Sequence, residues 1–506
     1  MNKDLDKKEI RVRIAPSPTG LLHIGTARAA LFNYLFAKQK GGRFIVRIED
    51  TDTQRSTKEF ENNILESFKW LRLEYDEGPD VNGEYGPYRQ SEKIDIYAKY
   101  IQKLLDEDKT YHCFCTKEDL EAQRQYQMSI GNAPIYAGKC SSLSKEEQEK
   151  RLSKGESSVI RFRTKKEKVS FNDLIRGKIE FDSNLIGDIV IAKDLKNPLY
   201  NFAVVIDDYE MNISHVIRGE DHISNTPKQI LIQEALGLPS PKFGHLPLIL
   251  APDRSKMSKR HGAVSVTSYR EDGYLPEALI NFMAFLGWNP GTDKEIYSIK
   301  ELINDFSLER ILKSGAIFNM KRLEFFNAYY IKQKSIKELT ELCLPYFLKT
   351  GLIEKRNGTI VQETGEEISV ETLEKIVSLY QERIKTLTEI TDLTDYFFKS
   401  VIKYEKELLV WTDMSLMDIA EALNALEKII INIENWTENN LEKILLSEAE
   451  LFGTEIGKAG NRGCLLWPLR VALTGQKNSA GPFSIAVILG KEKTIKRIQE
   501  AKQLLN

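Results

Sequence analysis

Two short stretches carry residue types suited to phosphate chemistry. Residues 13–36 read RIAPSPTGLLHIGTARAALFNYLF, a proline- and glycine-rich turn running into a helical pattern, with His23 at the junction. A helix N-terminus presents unpaired backbone N–H groups and partial positive charge, which makes it an anion site. Gly25 has no Cβ to hold a ligand off the backbone. His23 can donate a hydrogen bond to a phosphate oxygen. The second stretch, DRSKMSKRHG, sets Lys256, Lys259 and Arg260 within five residues, flanked by Ser255, Ser258 and Gly262. Clustered cations on a loop suit a pyrophosphate leaving group, whose charge grows in the transition state. Taken singly, the first could be a glycine turn with a surface histidine and the second a solvated basic loop. Their pairing is the specific signal.

The elements that would position these residues can be read from periodicity. Val12 and Ile14 alternate with Arg11 and Arg13, as in a strand. Ala27, Ala30, Leu31, Tyr34 and Leu35 recur at helical spacing, Gly41-Gly42 stops that helix, and RFIVRI (43–48) is a compact apolar strand. Strand, turn, helix and strand make a βαβ unit, so an α/β catalytic domain with a Rossmann-like parallel sheet is expected. Its expected extent is 1–95 and 200–253, with LYNFAVVIDD (199–208) and HVIRGED (215–221) read as sheet-like and TPKQILIQEALG as a helix. Residues 96–199 change texture: a CFC cluster, the charged helical SKEEQEKRLSK, and β-like SSVIRFR, KIEFD and DIVIAK predict an α+β insertion. Residues 254–335 hold the basic loop. From 336 to 506 the spacing predicts all-α domains, including ETLEKIVSLYQERIKTLTEI and MSLMDIAEALNALEKIIINI.

Bulk composition narrows the class. The chain has 506 residues, too many for one core. A net charge of −2 argues against a surface basic throughout, yet leaves room for local basic stripes such as RFRTKKEK and KEKTIKR. No apolar run is long enough for a membrane span. The opening MNKDLDKKEIRVRI lacks the apolar core of a secretory signal. Five cysteines do not make a disulfide framework in a chain of this size. A cytoplasmic protein with reduced thiols is expected.

The paired motifs resemble those of class I aminoacyl-tRNA synthetases. The flanking RIAPSPTGLLHIG, FIVRIEDTD, YNFAVVIDD, VIRGEDHISNTP and LRVALTG are similar to glutamyl-tRNA synthetases of the bacterial type, over nearly the whole chain. The resemblance implies ATP-dependent ligation of L-glutamate to the 3′ end of tRNA(Glu) through a glutamyl-adenylate, with Mg²⁺ accompanying ATP, and a monomer. A glutamate substrate carries two carboxylates and one ammonium, so it needs two cationic partners and an anionic one. Arg13 and Arg218 are the candidates for the carboxylates and Glu49 for the ammonium; the resemblance adds Ala15, Ser17 and Tyr200. It assigns the nucleotide to His23, Gly25, Thr26, Asp221, His222, Lys256 and Lys259, with His23, Gly25, Lys256 and Lys259 as the catalytic set. Asp221 and His222 stand where some relatives carry glutamate and tryptophan, and Val204 where some carry asparagine.

Three of the five cysteines, Cys113, Cys115 and Cys140, fall in the insertion, and a structural zinc site wants four ligands. Some members of the family hold zinc with C-x-C and a downstream Y-x-x-x-C, which matches Tyr136 to Cys140. A histidine that follows in some members is Ser142 here, leaving Tyr136 or water as the fourth ligand. Reduced cysteines without metal are the plain alternative. The resemblance also implies that the insertion meets the acceptor stem and the helical domains the anticodon. Arg462, Trp467 and Arg470 have residue types for reading single-stranded bases, while Trp467 equally suits a core. Other readings are an enzyme that also charges tRNA(Gln), a glutaminyl-tRNA synthetase, a small-molecule nucleotidylyltransferase, and a synthetase-like RNA-binding protein without activity. The helical C-terminal third argues against the second and third, and the intact motifs against the last.

Overall fold

A computed structural model describes residues 9–258, 260, 264–356 and 358–505. The chain forms two compact units: residues 1–271 with 276–326, and residues 272–275 with 327–506.

The first unit is built on four parallel strands in the order β2–β1–β8–β9: β1 Arg11–Ile14, β2 Arg43–Val46, β8 His215–Gly219 and β9 Lys242–Leu246. β1 pairs Val12 with Phe44 on one side and with His215 on the other. Strand order therefore reverses between β1 and β8, and a crevice opens at the carboxyl ends of those strands. All four residues of β1 are buried, arginines included. Both faces of a parallel sheet are covered, so Arg11 is held inside by a two-pronged ion pair with Glu77 (2.7 and 3.0 Å). The helix Ile24–Lys40 crosses from β1 to β2. Gly41 closes it at φ +65°, and Gly42 leaves no room for a side chain, since a Cβ there would lie 2.2 Å from the Ile10 carbonyl oxygen.

The insertion holds β3 Thr110–Cys113, β4 Val159–Phe162 and β7 Val190–Ala192 as an antiparallel sheet, and β5 Lys168–Asp173 with β6 Gly177–Asp182 as a hairpin. The charged stretch becomes the helix Lys145–Ser153, opened by a reciprocal Ser144–Glu147 cap. The hairpin is tied to the parallel sheet where Leu174 N–H donates to the Phe243 carbonyl at 2.8 Å.

Two sequence expectations fail, one in each unit. Residues 199–208, read as sheet-like, lie in a helix, Tyr200–Glu210, whose residues Phe202–Asp208 are all buried. A helix buried on every side shows a continuous apolar run, which periodicity cannot tell from an interior strand.

The second unit is largely helical, with Ile336–Lys349, Val370–Ser378, Leu416–Ile431, Glu438–Glu455, Gly463–Thr474 and Lys491–Leu505 its longer helices. ETLEKIVSLYQERIKTLTEI does not form one helix: it breaks after Ser378 and resumes at Glu389–Thr394. A hairpin, Ile353–Arg356 with Thr359–Gln362, also departs from the all-α expectation. No described helix is long and apolar enough to cross a membrane.

Candidate active site

The crevice between β1 and β8 is a cleft of about 790 Å³. Its lining gathers Arg13, Ala15, Ser17, His23, Gly25, Thr26, Glu49, Tyr200, Arg218, Asp221, His222 and Lys256. These residues come from five separate parts of the sequence, which the parallel sheet brings to one place. Of the residues assigned to the nucleotide and glutamate, Lys259 lies outside the described residues. Val204 is buried in the core of its helix and does not line the cleft.

His23 answers why a histidine stands where the first helix begins. It is the N-cap: its Nδ1 accepts the Gly25 N–H at 3.0 Å. An Nδ1 that accepts cannot carry the proton, so the neutral ring carries it on Nε2, a donor left over for a ligand. Burial first, then the nearby Lys256, lower the His23 pKa and keep the ring neutral. Gly25 serves the cap as well as access. A Cβ at 25 would come within 3.2 Å of His23 Nδ1. The segment after the basic loop seats on the same helix start, with Ile24 N–H donating to the Val264 carbonyl at 2.8 Å.

Across this end of the cleft, Lys256 Nζ meets Asp221 Oδ2 at 3.2 Å. The Tyr200 hydroxyl and His222 Nδ1 are 2.9 Å apart. Burial, and then the Arg218 charge, bring His222 down to about 4, so its ring is neutral at physiological pH.

The other end of the cleft is charged and buried. Arg13 donates through Nε and Nη2 to the two oxygens of Asp208 (3.0 and 3.1 Å). Arg47, fully buried beneath it, reaches Asp208 (2.7 Å), Glu49 (3.1 Å) and Asp207 (3.5 Å). Lys93 joins Asp207 at 2.7 Å. Three cations thus face three carboxylates, and only Arg13 and Glu49 of the six reach the cleft. Burial pushes the Glu49 carboxyl upward, against the pull of Arg47 and Arg13. For Asp208 the balance reverses: despite burial, Arg13 and Arg47 hold it down to about 2. Arg218 approaches from β8. Its Nη2 donates to Thr226 Oγ1 (2.7 Å) and Gln229 Oε1 (2.8 Å), while its buried Nη1 has no hydrogen-bond partner among the described residues. A buried guanidinium nitrogen without a partner, on a residue that lines the cleft, leaves hydrogen-bonding capacity for an anion. Sequence reading missed Arg47, Lys93, Asp207 and Asp208. For Arg47, Asp207 and Asp208 the signal was present as charges embedded in the apolar runs RFIVRI and AVVIDD; Lys93 carried none.

In the insertion the three cysteines converge, with sulfur atoms all within 4.8 Å of one another. Cys115 and Cys140 Sγ are 3.7 Å apart, and the Tyr136 hydroxyl lies 3.3 Å from Cys113 Sγ and 3.6 Å from Cys115 Sγ. A tetrahedral zinc with Zn–S near 2.3 Å sets sulfurs about 3.8 Å apart, so the Cys115–Cys140 spacing suits that ion, with the Tyr136 hydroxyl beside the cysteines as a further donor. Burial, joined by the neighbouring thiols, pushes Cys115 up to about 11 when no cation is present to hold the thiolate.

In the second unit, the Trp467 N–H donates to the Leu408 carbonyl (2.9 Å) and its ring packs on Trp411. Arg470 is committed to the Ser479 and Ala480 carbonyls, and Arg462 pairs with Glu450. Trp467 and Arg470 thus serve packing and loop closure, whereas Arg462 makes an exposed ion pair.

Residues 9–325 match the family described as class I tRNA synthetases (E and Q), catalytic domain, and residues 338–502 match an anticodon binding domain. The chain is 46% identical over 503 residues to glutamate–tRNA ligase 1 of Caldicellulosiruptor saccharolyticus, covering 98% of this chain and 100% of that protein. It is 46% identical over 490 residues to the glutamate–tRNA ligase of Carboxydothermus hydrogenoformans, covering 97% and 99%. The crystal structure of a glutamate tRNA ligase from Elizabethkingia meningosepticum, in complex with its amino acid, superposes with a TM-score of 0.84 at 34% identity, covering 98% of this chain and 100% of that one. The match in fold runs over nearly the whole chain, and the chain belongs to the class I tRNA synthetases of the glutamate and glutamine group.

Proposed function

We infer that the cleft activates L-glutamate with ATP and hands it to the 3′ end of tRNA(Glu). The observation that carries the glutamate assignment is the charge pattern at one end of the cleft: two buried arginines and one buried carboxylate around a space that opens toward His23. That pattern complements two carboxylates and one ammonium. Glu49 receives the ammonium, and Arg13 and Arg218 take the carboxylates, with Ala15, Ser17 and Tyr200 shaping the space between them.

The glutamate α-carboxylate attacks the α-phosphate of ATP in line, forming the mixed anhydride and releasing pyrophosphate. His23 Nε2–H, the helix start at Gly25 and Thr26, Lys256 and Lys259 stabilise charge on the phosphates. Asp221 and His222 hold the adenosine side. The terminal ribose hydroxyl of the tRNA then attacks the activated carbonyl and expels AMP. No covalent bond to the enzyme is required, so rate enhancement rests on positioning and electrostatics. Mg²⁺ enters as the counter-ion of the nucleotide phosphates. Zinc, held by Cys113, Cys115, Tyr136 and Cys140, would cross-link the insertion that receives the acceptor end. The enzyme is assigned to the cytoplasm, where its thiols remain reduced.

The test is charging with labelled glutamate of tRNA(Glu) and of tRNA(Gln). Glutamate transfer to tRNA(Glu) that is lost in Arg218→Ala supports the reading; transfer of another amino acid in preference to glutamate refutes it.

A further inference from the structure

Arg218 does not stand alone. Its Nε points at His245 Nε2 (3.4 Å), and that same nitrogen lies 2.9 Å from the Thr226 hydroxyl that accepts from Arg218 Nη2. On the far side of the ring, His245 Nδ1 is 2.6 Å from Asp173 Oδ2, and both side chains are wholly buried. Asp173 ends β5 of the insertion hairpin, whereas His245 lies on β9 of the parallel sheet. Asp173 Oδ1 is already committed to the backbone N–H groups of Ile175 (2.9 Å) and Arg176 (2.8 Å).

We propose that Asp173 and His245 form a positioning pair that orients Arg218 for the substrate carboxylate. This rests on the assignment of Arg218 to glutamate made above. The logic follows from donor and acceptor types. An ionised Asp173 only accepts, so His245 must carry its proton on Nδ1. The neutral ring then offers Nε2 purely as an acceptor. The Thr226 hydroxyl, 2.9 Å from that nitrogen and 3.3 Å from the His222 carbonyl, donates along the shorter contact and turns a lone pair to Arg218 Nη2. Arg218 Nη2 is thereby fixed and Nε shares the His245 Nε2 acceptor at 3.4 Å, which leaves Nη1, without a hydrogen-bond partner among the described residues, as the nitrogen free for the substrate. A carboxylate that fixes a histidine tautomer, which in turn orients a working group, is an arrangement found in many active sites. The other charges facing His245 are Arg176, whose Nε donates to the His245 carbonyl while its guanidinium pairs with Glu220, and the neutral His222. Burial and Arg218 disfavour a second proton on His245, which would point an N–H at a guanidinium.

Asp173→Asn reverses the relay at constant shape. With the oxygen retained by the backbone N–H groups, the amide nitrogen faces Nδ1 and donates to it, so the ring must carry its proton on Nε2, against Arg218. Steady-state charging should show glutamate KM raised about tenfold or more, the usual consequence of a lost buried hydrogen bond to a charged group, with ATP KM and kcat at saturating glutamate within about twofold. His245→Asn keeps a donor for Asp173 but no acceptor for Arg218, and should match Asp173→Asn. His245→Gln places an amide oxygen near the Nε2 position and should rescue much of the loss. A merely structural role would instead rank all three variants by melting temperature and move every kinetic constant together. If Arg218→Lys leaves glutamate KM unchanged, the assignment and this inference both fall. If Arg218→Lys raises it but Asp173→Asn and His245→Asn do not, the inference alone falls. Should Asp173→Asn not fold, the contrast between His245→Asn and His245→Gln decides: equal glutamate KM values overturn the proposal.

Discussion

Arg47→Met removes one of three cations from a buried cluster that also holds Glu49, Asp207 and Asp208. Methionine nearly fills the arginine stem, so the main effect is electrostatic. Taking one partner out of a buried pair costs about 3–5 kcal/mol, because the opposing charge is left uncompensated. The cluster relieves this by taking up a proton. Asp208 still has Arg13 and Asp207 still has Lys93, so the proton goes to Glu49, whose carboxyl burial already pushes up. Two consequences of opposite sign follow. Glu49 in the variant has a folded-state pKa raised further above its unfolded value, so the loss of stability is greatest at high pH and shrinks as pH falls through that raised pKa. Glutamate binding runs the other way, since a protonated Glu49 is a poor partner for the substrate ammonium. Loss of a charge-assisted hydrogen bond of about 1.5–3 kcal/mol raises glutamate KM roughly 10- to 150-fold near neutrality, with partial recovery as pH rises and Glu49 ionises. The assay is ATP–pyrophosphate exchange with tRNA present, glutamate varied across pH, alongside thermal melts. Wild-type glutamate KM should also rise as pH falls, but with its limb at lower pH. A folded Arg47→Met protein with unchanged glutamate KM, or with a KM raised equally at every pH, would refute the reasoning.

Three further outcomes are expected. His23→Ala should lower kcat by about 10²–10³, the usual loss for one preorganised donor, and cost about 1 kcal/mol in melts through the lost N-cap; His23→Asn should restore the cap without restoring the rate. Stripping metal with a strong chelator should lower the melting temperature and expose Cys113, Cys115 and Cys140 to a thiol reagent, with zinc restoring both, and metal analysis of Tyr136→Phe should show weakened retention. Lys493, half-buried and lowered to about 8 chiefly by burial and then by Arg497, binds fewer protons folded than unfolded between about pH 8 and 10.4. Stability should therefore rise with pH across that window relative to Lys493→Met, and parallel melting curves for the two would exclude the effect.

The His23 end of the cleft was legible because its geometry is local. A histidine two residues before a glycine at a helix start needs only neighbours in sequence, and the structure shows that local arrangement as a cap. Arg13, Glu49 and Arg218 could be named from the charges a glutamate presents, yet their supports could not. Asp208 is nearly two hundred residues from the Arg13 it fixes, and Asp173 reaches His245 only because a hairpin of the insertion seats against the parallel sheet. Pairings of that kind depend on topology. Helix and strand could be separated wherever one face meets water, as in Lys145–Ser153 or Leu416–Ile431. They could not be separated at Phe202–Asp208 of the helix Tyr200–Glu210, where every side is covered. The hairpin Ile353–Gln362 was missed for a different reason: it is short and its first strand is mostly exposed, although Asn357-Gly358 in the sequence was a turn signal.

The central claim is that this cleft adenylates glutamate on behalf of tRNA. The most direct test is ATP–pyrophosphate exchange with glutamate, glutamine and aspartate, each with and without tRNA(Glu), in wild type and in Arg218→Ala. The account predicts exchange that is selective for glutamate, strongest with tRNA(Glu) present, and lost in the variant. Equal exchange with glutamine, or no exchange under any condition from folded protein, would contradict it.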